Sequence, residues 1–297
     1  MHTAMQKNGR KITPVNGFLL VILEEVIKIC PRLDNIQQGQ KLMLPYERIS
    51  HAIGDSTAKG NTALIPFMTA GYPEPEAFID TLRAVASVGD VVEIGVPFSD
   101  PMADGMTIQR SSFSAIENGV TLNWIFEQLE QSGNDIESPL VMMSYLNPLL
   151  AFGYDKLAKR ARDTGVCAFI VPDLPFEESE EIRLTLEAHG VGLIQLVTPA
   201  TPDNRLKMLS EVSRGFLYAV TITGITGGHS GLPNDLADYL DKVSSVSSLP
   251  VCAGFGIRSA ADVINVGRHA AGAIVGSALV EVLEREEDPA TFLRNLR

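Results

Sequence analysis

Residues 91–96 of the chain are VVEIGV, and residues 97–105 continue as PFSDPMADG. The first segment has the β-branched, apolar composition of a buried strand, interrupted by the single carboxylate of Glu93. The second segment begins with Pro97 and ends with Gly105, a composition typical of a turn or loop. A buried strand followed by a polar loop at its carboxyl end recurs along the chain, and this pattern decides the fold.

Eight apolar segments of this kind follow one another from about residue 46, and charged segments with helical periodicity separate them. The predicted strands are Ala63–Met68, Val91–Val96, Leu140–Tyr145, Ala168–Val171, Leu193–Val197, Phe216–Ile222, Val251–Ala253 and Ala273–Val275. The predicted helices between them are Glu74–Ser87, Leu122–Gln131, Tyr154–Thr164, Glu177–His189, Pro202–Ser213, Asn234–Val246 and Ser259–Arg268. Strands and helices that alternate at this spacing indicate a parallel sheet with helical crossovers.

Eight strands fit either a closed barrel or an open, doubly wound sheet. Polar and glycine-rich segments cluster after the carboxyl ends of the strands, at 99–104, 223–230, 254–256 and 276–277. Barrel enzymes build their sites from these loops. The sequence therefore predicts an α/β fold of the (β/α)8 TIM-barrel class, formed by one catalytic domain over residues 45–297.

Residues 1–44 do not share the strand–helix rhythm. They contain a basic start, the short apolar run Phe18–Leu23 and the polar stretch Asp34–Lys41. The run is far shorter than the ~20 residues that span a bilayer. We predict an N-terminal extension of unknown role, which is either dispensable or an added amphipathic helix, and no membrane association.

The composition limits the partners. The chain has 297 residues and a net charge of −12, which disfavours a nucleic-acid partner. A small anion can still bind to backbone N–H groups. Cys30, Cys167 and Cys252 are scattered, so neither a disulfide framework nor a metal site is predicted, and the cytoplasm is the expected location.

Glu93 is the first candidate for chemistry. Because side chains alternate across a strand, Glu93 and Gly95 share one face, and Val92 and Ile94 share the other. The aliphatic face should pack on helices, so Glu93 points into the barrel mouth. Burial raises the pKa of an unpaired carboxyl, which suits a general acid or base near neutral pH. The alternative is a structural Glu that pairs with an Arg or Lys.

Three further segments are candidates for the same site. The loop after Glu93 holds Asp100 and Asp104, of which one can cap the next helix and the other can reach the site. Glycines at 254–256 and at Gly276-Ser277 follow the last two strands, where barrels commonly bind phosphate. Residues 223–231 contain four glycines and are either a lid over a ligand or an ordinary surface loop.

Several motifs together resemble the tryptophan synthase alpha chain family. They are IPFMTAGYP at 65–73, EIGVPFSDPMADG at 93–105, YLNP at 145–148, PDLP at 172–175 and GITG at 224–227. The resemblance extends from about Tyr46 to the carboxyl terminus and keeps the motifs in order. It implies a (β/α)8 lyase that cleaves indole-3-glycerol phosphate to indole and glyceraldehyde 3-phosphate in L-tryptophan biosynthesis.

The resemblance also implies partners and a cofactor. The family pairs with a beta subunit that carries pyridoxal phosphate and consumes the indole, so an alpha2-beta2 heterotetramer is expected. No cofactor is expected in this chain. One departure stands out, because the family usually has Pro where this chain has Met106 after the Asp-containing loop. Loop closure and partner contact are the properties that this difference affects.

Residue roles follow from the same resemblance. Glu93 matches the acid/base of the family, and Asp104 matches the carboxylate held near the indole nitrogen. The other matching positions are expected to bind substrate: Phe67, Tyr145 and Tyr218 at the indole, Thr226 in a lid packed against Asp104, and Gly227, Gly256, Gly276 and Ser277 at the phosphate.

Two other functions are compatible with parts of this pattern. The phosphate cradle alone would also suit another phosphate-binding barrel, such as an isomerase or synthase of aromatic or histidine biosynthesis. A barrel that only activates a partner subunit is the non-enzymatic alternative. The intact pair of Glu93 and Asp104 favours the lyase over both.

Overall fold

The strands predicted from the sequence form a closed barrel. The computed structural model describes residues 43–133, 135–220, 234–254 and 256–297. Its strands are β1 (Ala63–Thr69), β2 (Val92–Gly95), β3 (Leu140–Met143), β4 (Val166–Ile170), β5 (Gly192–Val197), β6 (Leu217–Val220), β7 (Val251–Gly254) and β8 (Gly272–Val275). Each strand pairs in parallel with its neighbours in chain order, and β8 returns to pair with β1. The TIM-barrel prediction is confirmed.

Helices of the described residues surround this barrel. They are α1 (Pro45–Ala58), α2 (Phe78–Ala86), α3 (Met106–Glu117), α4 (Leu122–Ser132), α5 (Leu146–Phe152), α6 (Tyr154–Thr164), α7 (Glu180–Glu187), α8 (Asp203–Val212), α9 (Asn234–Val246), α10 (Ala260–Gly267), α11 (Ser277–Glu284) and α12 (Pro289–Arg294). The seven predicted helices are all present, with end shifts of a few residues. In the described residues no helix is long and apolar enough to cross a membrane.

Helix α5 was not predicted. Its sequence contains Asn147-Pro148, a pair that is typical of a turn. The proline lies in the first turn of the helix, where a backbone N–H has no intrahelical partner in any case. The sequence analysis therefore missed this short helix because the Asn-Pro pair favours a turn.

Strand parity sorts the side chains of β2 as the alternation predicts. Val92 and Ile94 are buried in the cluster that contains the helix residues Phe126 and Leu157. Val91 belongs instead to the cluster that fills the barrel interior. Glu93 lies on the interior side in register with Phe67 and Val141 of the adjacent strands.

Helix α1 closes one end of the barrel. Its apolar residues Ile49 and Ile53 are fully buried and belong to the interior cluster. A Cβ at Gly215, which precedes β6, would lie 3.1 Å from Ile49 Cδ1, so this end is tightly packed. Residues 1–42 lie outside the described residues, so the predicted boundary of the extension stays a prediction. The carboxyl ends of the strands are left to form the site.

Candidate active site

A cavity of about 300 Å³ lies at the carboxyl ends of the strands, a volume at the lower end of small-molecule sites. Side chains and backbone from all eight strands or the loops after them form its wall. The wall residues are Phe67, Glu93, Ala103, Asp104, Gly105, Ile108, Met143, Pro172, Leu196, Tyr218, Val220, Gly254, Gly256, Ile257, Ile274, Gly276 and Ser277. Segments more than 200 residues apart in the chain thus meet in one cavity.

Glu93 is an isolated carboxyl in this wall. Its side chain is 1% exposed, and its Oε2 atom has no hydrogen-bond partner within the described residues. Burial raises the pKa of Glu93 to about 8, and the negative charge of Asp104 contributes further. No Arg or Lys pairs with it among the described residues. The structure therefore favours the acid/base hypothesis over a structural ion pair.

The burial of Glu93 makes a prediction for stability. Its pKa lies above the ordinary value, so the folded state holds the proton more tightly than the unfolded state. The associated stability is present below pH 4.5 and is lost as the pH rises through about 8. We expect Glu93→Gln, which cannot ionise, to be more stable than wild type at pH 9 by roughly 3–5 kcal/mol. Urea unfolding of both proteins at pH 5, 7 and 9 measures this, and parallel pH dependences would contradict it.

Asp104 is partly exposed and is held by Tyr145. The Tyr145 hydroxyl donates a hydrogen bond to Asp104 Oδ2 at 3.1 Å and accepts one from Ala103 N at 2.8 Å. Burial raises the pKa of Asp104, and the Tyr145 hydrogen bond opposes that rise. The ring of Tyr145 stacks on Phe98 with centroids 5.0 Å apart. Gln109 Nε2 adds a 2.9 Å bond to Asp104 O, so both the backbone and the side chain of Asp104 are anchored.

This arrangement adds a contact to the role expected for Tyr145. The resemblance has Tyr145 form or border the indole pocket, which stays a prediction, and Tyr145 is not among the residues that form the cavity wall. Its hydroxyl is already occupied by the loop that carries Asp104. Tyr145 therefore holds the Asp104 side chain in its position at the cavity.

We expect Tyr145→Phe to lower kcat about tenfold, because a hydrogen bond to a charged group is lost while the ring is kept. Tyr239→Phe is the matched control. Its hydroxyl donates to Val197 O at 2.8 Å and is not part of the cavity wall. Steady-state kinetics of both variants check this, and equal effects on kcat would show that the Tyr145 bond has no special role.

Two glycines make room for the aromatic walls. A Cβ at Gly95 would lie 2.4 Å from Cζ of Phe67, and a Cβ at Gly254 would lie 2.6 Å from the Tyr218 hydroxyl. Neither distance is sterically allowed, so any larger residue would displace the ring. Gly95 and Gly254 are needed because the rings of Phe67 and Tyr218 cross these strands on the cavity side.

The predicted phosphate cradle lies in the same wall. Gly256 has a φ of 53°, a conformation that favours glycine. Gly276 precedes α11, and a Cβ there would have only Phe67 Cβ within 4 Å, at 3.9 Å. The first N–H groups of α11, starting at Ser277, have no intrahelical acceptor, and the helix dipole favours an anion there. These features together suit a phosphate group.

Comparison with known proteins agrees with this geometry. Residues 53–296 match the family described as "Tryptophan synthase alpha chain". The chain belongs to this family. The tryptophan synthase alpha chain of Roseiflexus sp. is 43% identical over 260 residues, covering 84% of this chain and 99% of that protein. That of Nitratidesulfovibrio vulgaris strain DP4 is 41% identical over 248 residues, covering 83% and 96%.

Solved structures of the family have the same fold. Tryptophan synthase from M. tuberculosis, in an open form with BRD0059 bound, superimposes with a TM-score of 0.76 at 32% identity and covers 84% of this chain and 96% of that chain. The alpha subunit from Legionella pneumophila strain Paris has a TM-score of 0.75 at 31% identity, covering 84% and 98%. Membership identifies an enzyme of tryptophan biosynthesis and implies a beta-subunit partner.

Not every predicted site residue can be placed. Thr226 and Gly227 lie outside the described residues, as does the rest of the predicted lid, so their roles stay predictions. The wall residues that the sequence analysis missed include Ile108, Leu196 and Ile274. Strand parity could have found Leu196 and Ile274, because each lies at the carboxyl end of a strand and alternates with helix-facing neighbours. In the described residues no group of three or more His, Cys, Asp or Glu side chains could hold a metal ion.

Proposed function

We propose that this protein is a lyase that cleaves indole-3-glycerol phosphate to indole and glyceraldehyde 3-phosphate by a retro-aldol reaction. The observation that carries the proposal is the unpaired, fully buried carboxyl of Glu93 in a cavity that also holds Asp104 and the glycines predicted to bind phosphate. The apolar wall from Phe67, Leu196 and Ile274 suits a flat aromatic ring.

The proposed reaction needs one proton to be added and one to be removed. Protonation of C3 of the indole ring makes that carbon tetrahedral and leaves an iminium-like charge on the ring nitrogen. Loss of the proton from the neighbouring side-chain hydroxyl then drives cleavage of the C3–carbon bond. The bonding pair restores the aromatic indole, and the hydroxyl carbon becomes the aldehyde. No net proton is consumed.

Glu93 is suited to both proton transfers. A carboxyl with a pKa of about 8 exchanges protons readily at neutral pH, so one group can accept the hydroxyl proton and supply another to C3. Asp104 stabilises the positive charge that develops on the ring nitrogen, and it is effective because it lies in a partly desolvated position. The phosphate, bound at Gly256, Gly276 and Ser277, holds the glycerol chain in place.

Because the reaction moves only protons and one bonding pair, we propose that this chain uses no cofactor of its own. Pyridoxal phosphate is expected in the beta subunit, and we propose an alpha2-beta2 heterotetramer in the cytoplasm. The unpaired state of the buried Cys167 and Cys252 is compatible with that compartment.

Indole release by the purified full-length chain tests the proposal, with and without a beta subunit. Release from indole-3-glycerol phosphate, increased by the partner, is the expected result. Turnover of a different sugar phosphate without indole would favour another phosphate-binding barrel. Activation of the beta subunit without any cleavage would favour a non-catalytic role.

A further inference from the structure

Glu281 lies outside the cavity wall but touches the elements that form it. It is on α11, one turn after Ser277, so the two side chains share a face of the helix. Its side chain is 26% exposed, and the Arg258 hydrogen bonds lower its pKa, which keeps it ionised. None of the roles considered above uses this residue.

Two other elements converge on the Glu281 carboxylate. Arg258 Nη1 binds Oε2 at 2.7 Å, and Arg258 Nη2 binds Oε1 at 2.8 Å, a bidentate pair that fixes both side chains. Arg258 follows Gly256 by two positions in the loop after β7. The Thr107 hydroxyl lies 3.5 Å from Glu281 Oε1, and Thr107 is the second residue of α3, directly after the Asp104 loop.

We propose that Glu281 is a positioning residue that couples the phosphate cradle to the Asp104 loop. Its carboxylate connects three elements. They are helix α11, which begins with Ser277, the loop after β7, which contains Gly256, and the start of α3, which follows Asp104 in the chain. A phosphate that orders the cradle thereby also orders Asp104. This proposal rests on the proposed function, because it assumes that phosphate and carboxylate act on one substrate.

The neighbouring pair of Arg110 and Glu284 provides a contrast. Arg110 Nη2 binds Glu284 at 3.0 and 3.2 Å, so this pair also links α3 to α11. The arginines are similarly exposed, at 56% for Arg258 and 53% for Arg110. Among the described residues, Glu284 forms no hydrogen bond or ion pair with the cradle loop or with Thr107. Both glutamates link α11 to α3, Glu281 through Thr107 and Glu284 through Arg110. The hydrogen bonds to the cradle loop are made by Glu281 and not by Glu284 in the described residues.

The test compares Glu281→Gln with Glu284→Gln in the full-length chain. Glycerol 3-phosphate is the probe for the cradle, and its Kd is measured by calorimetry. We expect Glu281→Gln to raise this Kd about fivefold and to lower kcat for indole release by a similar factor, because the bidentate charge pair is lost. Glu284→Gln should change both by less than about twofold. Arg258→Gln combined with Glu281→Gln should be no worse than Glu281→Gln alone.

Thermal unfolding separates coupling from loss of stability, since both glutamate variants should lower Tm to the same small extent. The proposal is overturned if the two variants shift Kd and kcat equally, or if Glu281→Gln leaves either quantity unchanged. Failure of the proposed function is recognised separately. In that case wild type releases no indole with or without a beta subunit, while its Kd for glycerol 3-phosphate can still be measured.

Discussion

Glu93→Gln is expected to reduce kcat for indole release by about 10³-fold, within the range for loss of a general acid/base. The amide has nearly the same shape as the carboxyl, but it can neither accept the hydroxyl proton nor supply one to C3. Glu93 is fully buried, and its Oε2 atom has no hydrogen-bond partner in the described residues that could relay a proton in its place. The measurement is single-turnover indole release at saturating substrate.

Binding and folding serve as controls for Glu93→Gln. The Kd of glycerol 3-phosphate should stay within about twofold of wild type, because the cradle lies on other strands. The variant should also unfold at no lower temperature than wild type above pH 8, since the buried charge is absent. A variant that turns over normally would remove Glu93 from the acid/base role and leave family membership untouched.

Asp104→Asn should reduce kcat by about 10²-fold, the lower end of the range for a lost electrostatic stabiliser of the transition state. The amide keeps the hydrogen bond with Tyr145, so the loop should stay in place, but the negative charge that we propose to face the ring nitrogen is gone. Because that charge matters most when the iminium-like nitrogen forms, KM should change much less than kcat.

Asp100→Asn is the matched control for Asp104→Asn. Asp100 lies in the same loop and is exposed, and its side chain accepts a hydrogen bond from Ser99. It is not part of the cavity wall. The control should keep kcat within about twofold. Equal losses in the two variants would mean that net charge or loop order matters, and that Asp104 has no direct contact with the reacting ring.

Local sequence patterns already predicted the fold and the positions of Glu93 and the cradle glycines in the site. Period-two alternation in residues 91–96 placed Glu93 on the interior face, because a strand has only two faces and one was aliphatic. The eight repeats indicated a parallel sheet, whose strands are buried on both sides, and the polar and glycine-rich loops at the carboxyl ends of the strands favoured a closed barrel. Gly256 and Gly276 indicated the phosphate cradle, because backbone that lies close to an anion leaves no room for side chains.

Only the tertiary structure decided how these parts contact one another. No periodicity relates Tyr145 to Asp104, which are 41 positions apart, or Arg258 to Glu281, which are 23 apart, because such pairs depend on how separate loops meet above the barrel. The pKa of Glu93 likewise depends on desolvation by residues from several strands and on the charge of Asp104. Sequence alone therefore determined that Glu93 and the cradle glycines face the site. Packing determined their partners, their protonation and the link between the cradle and the Asp104 loop, because these are through-space properties of the closed barrel.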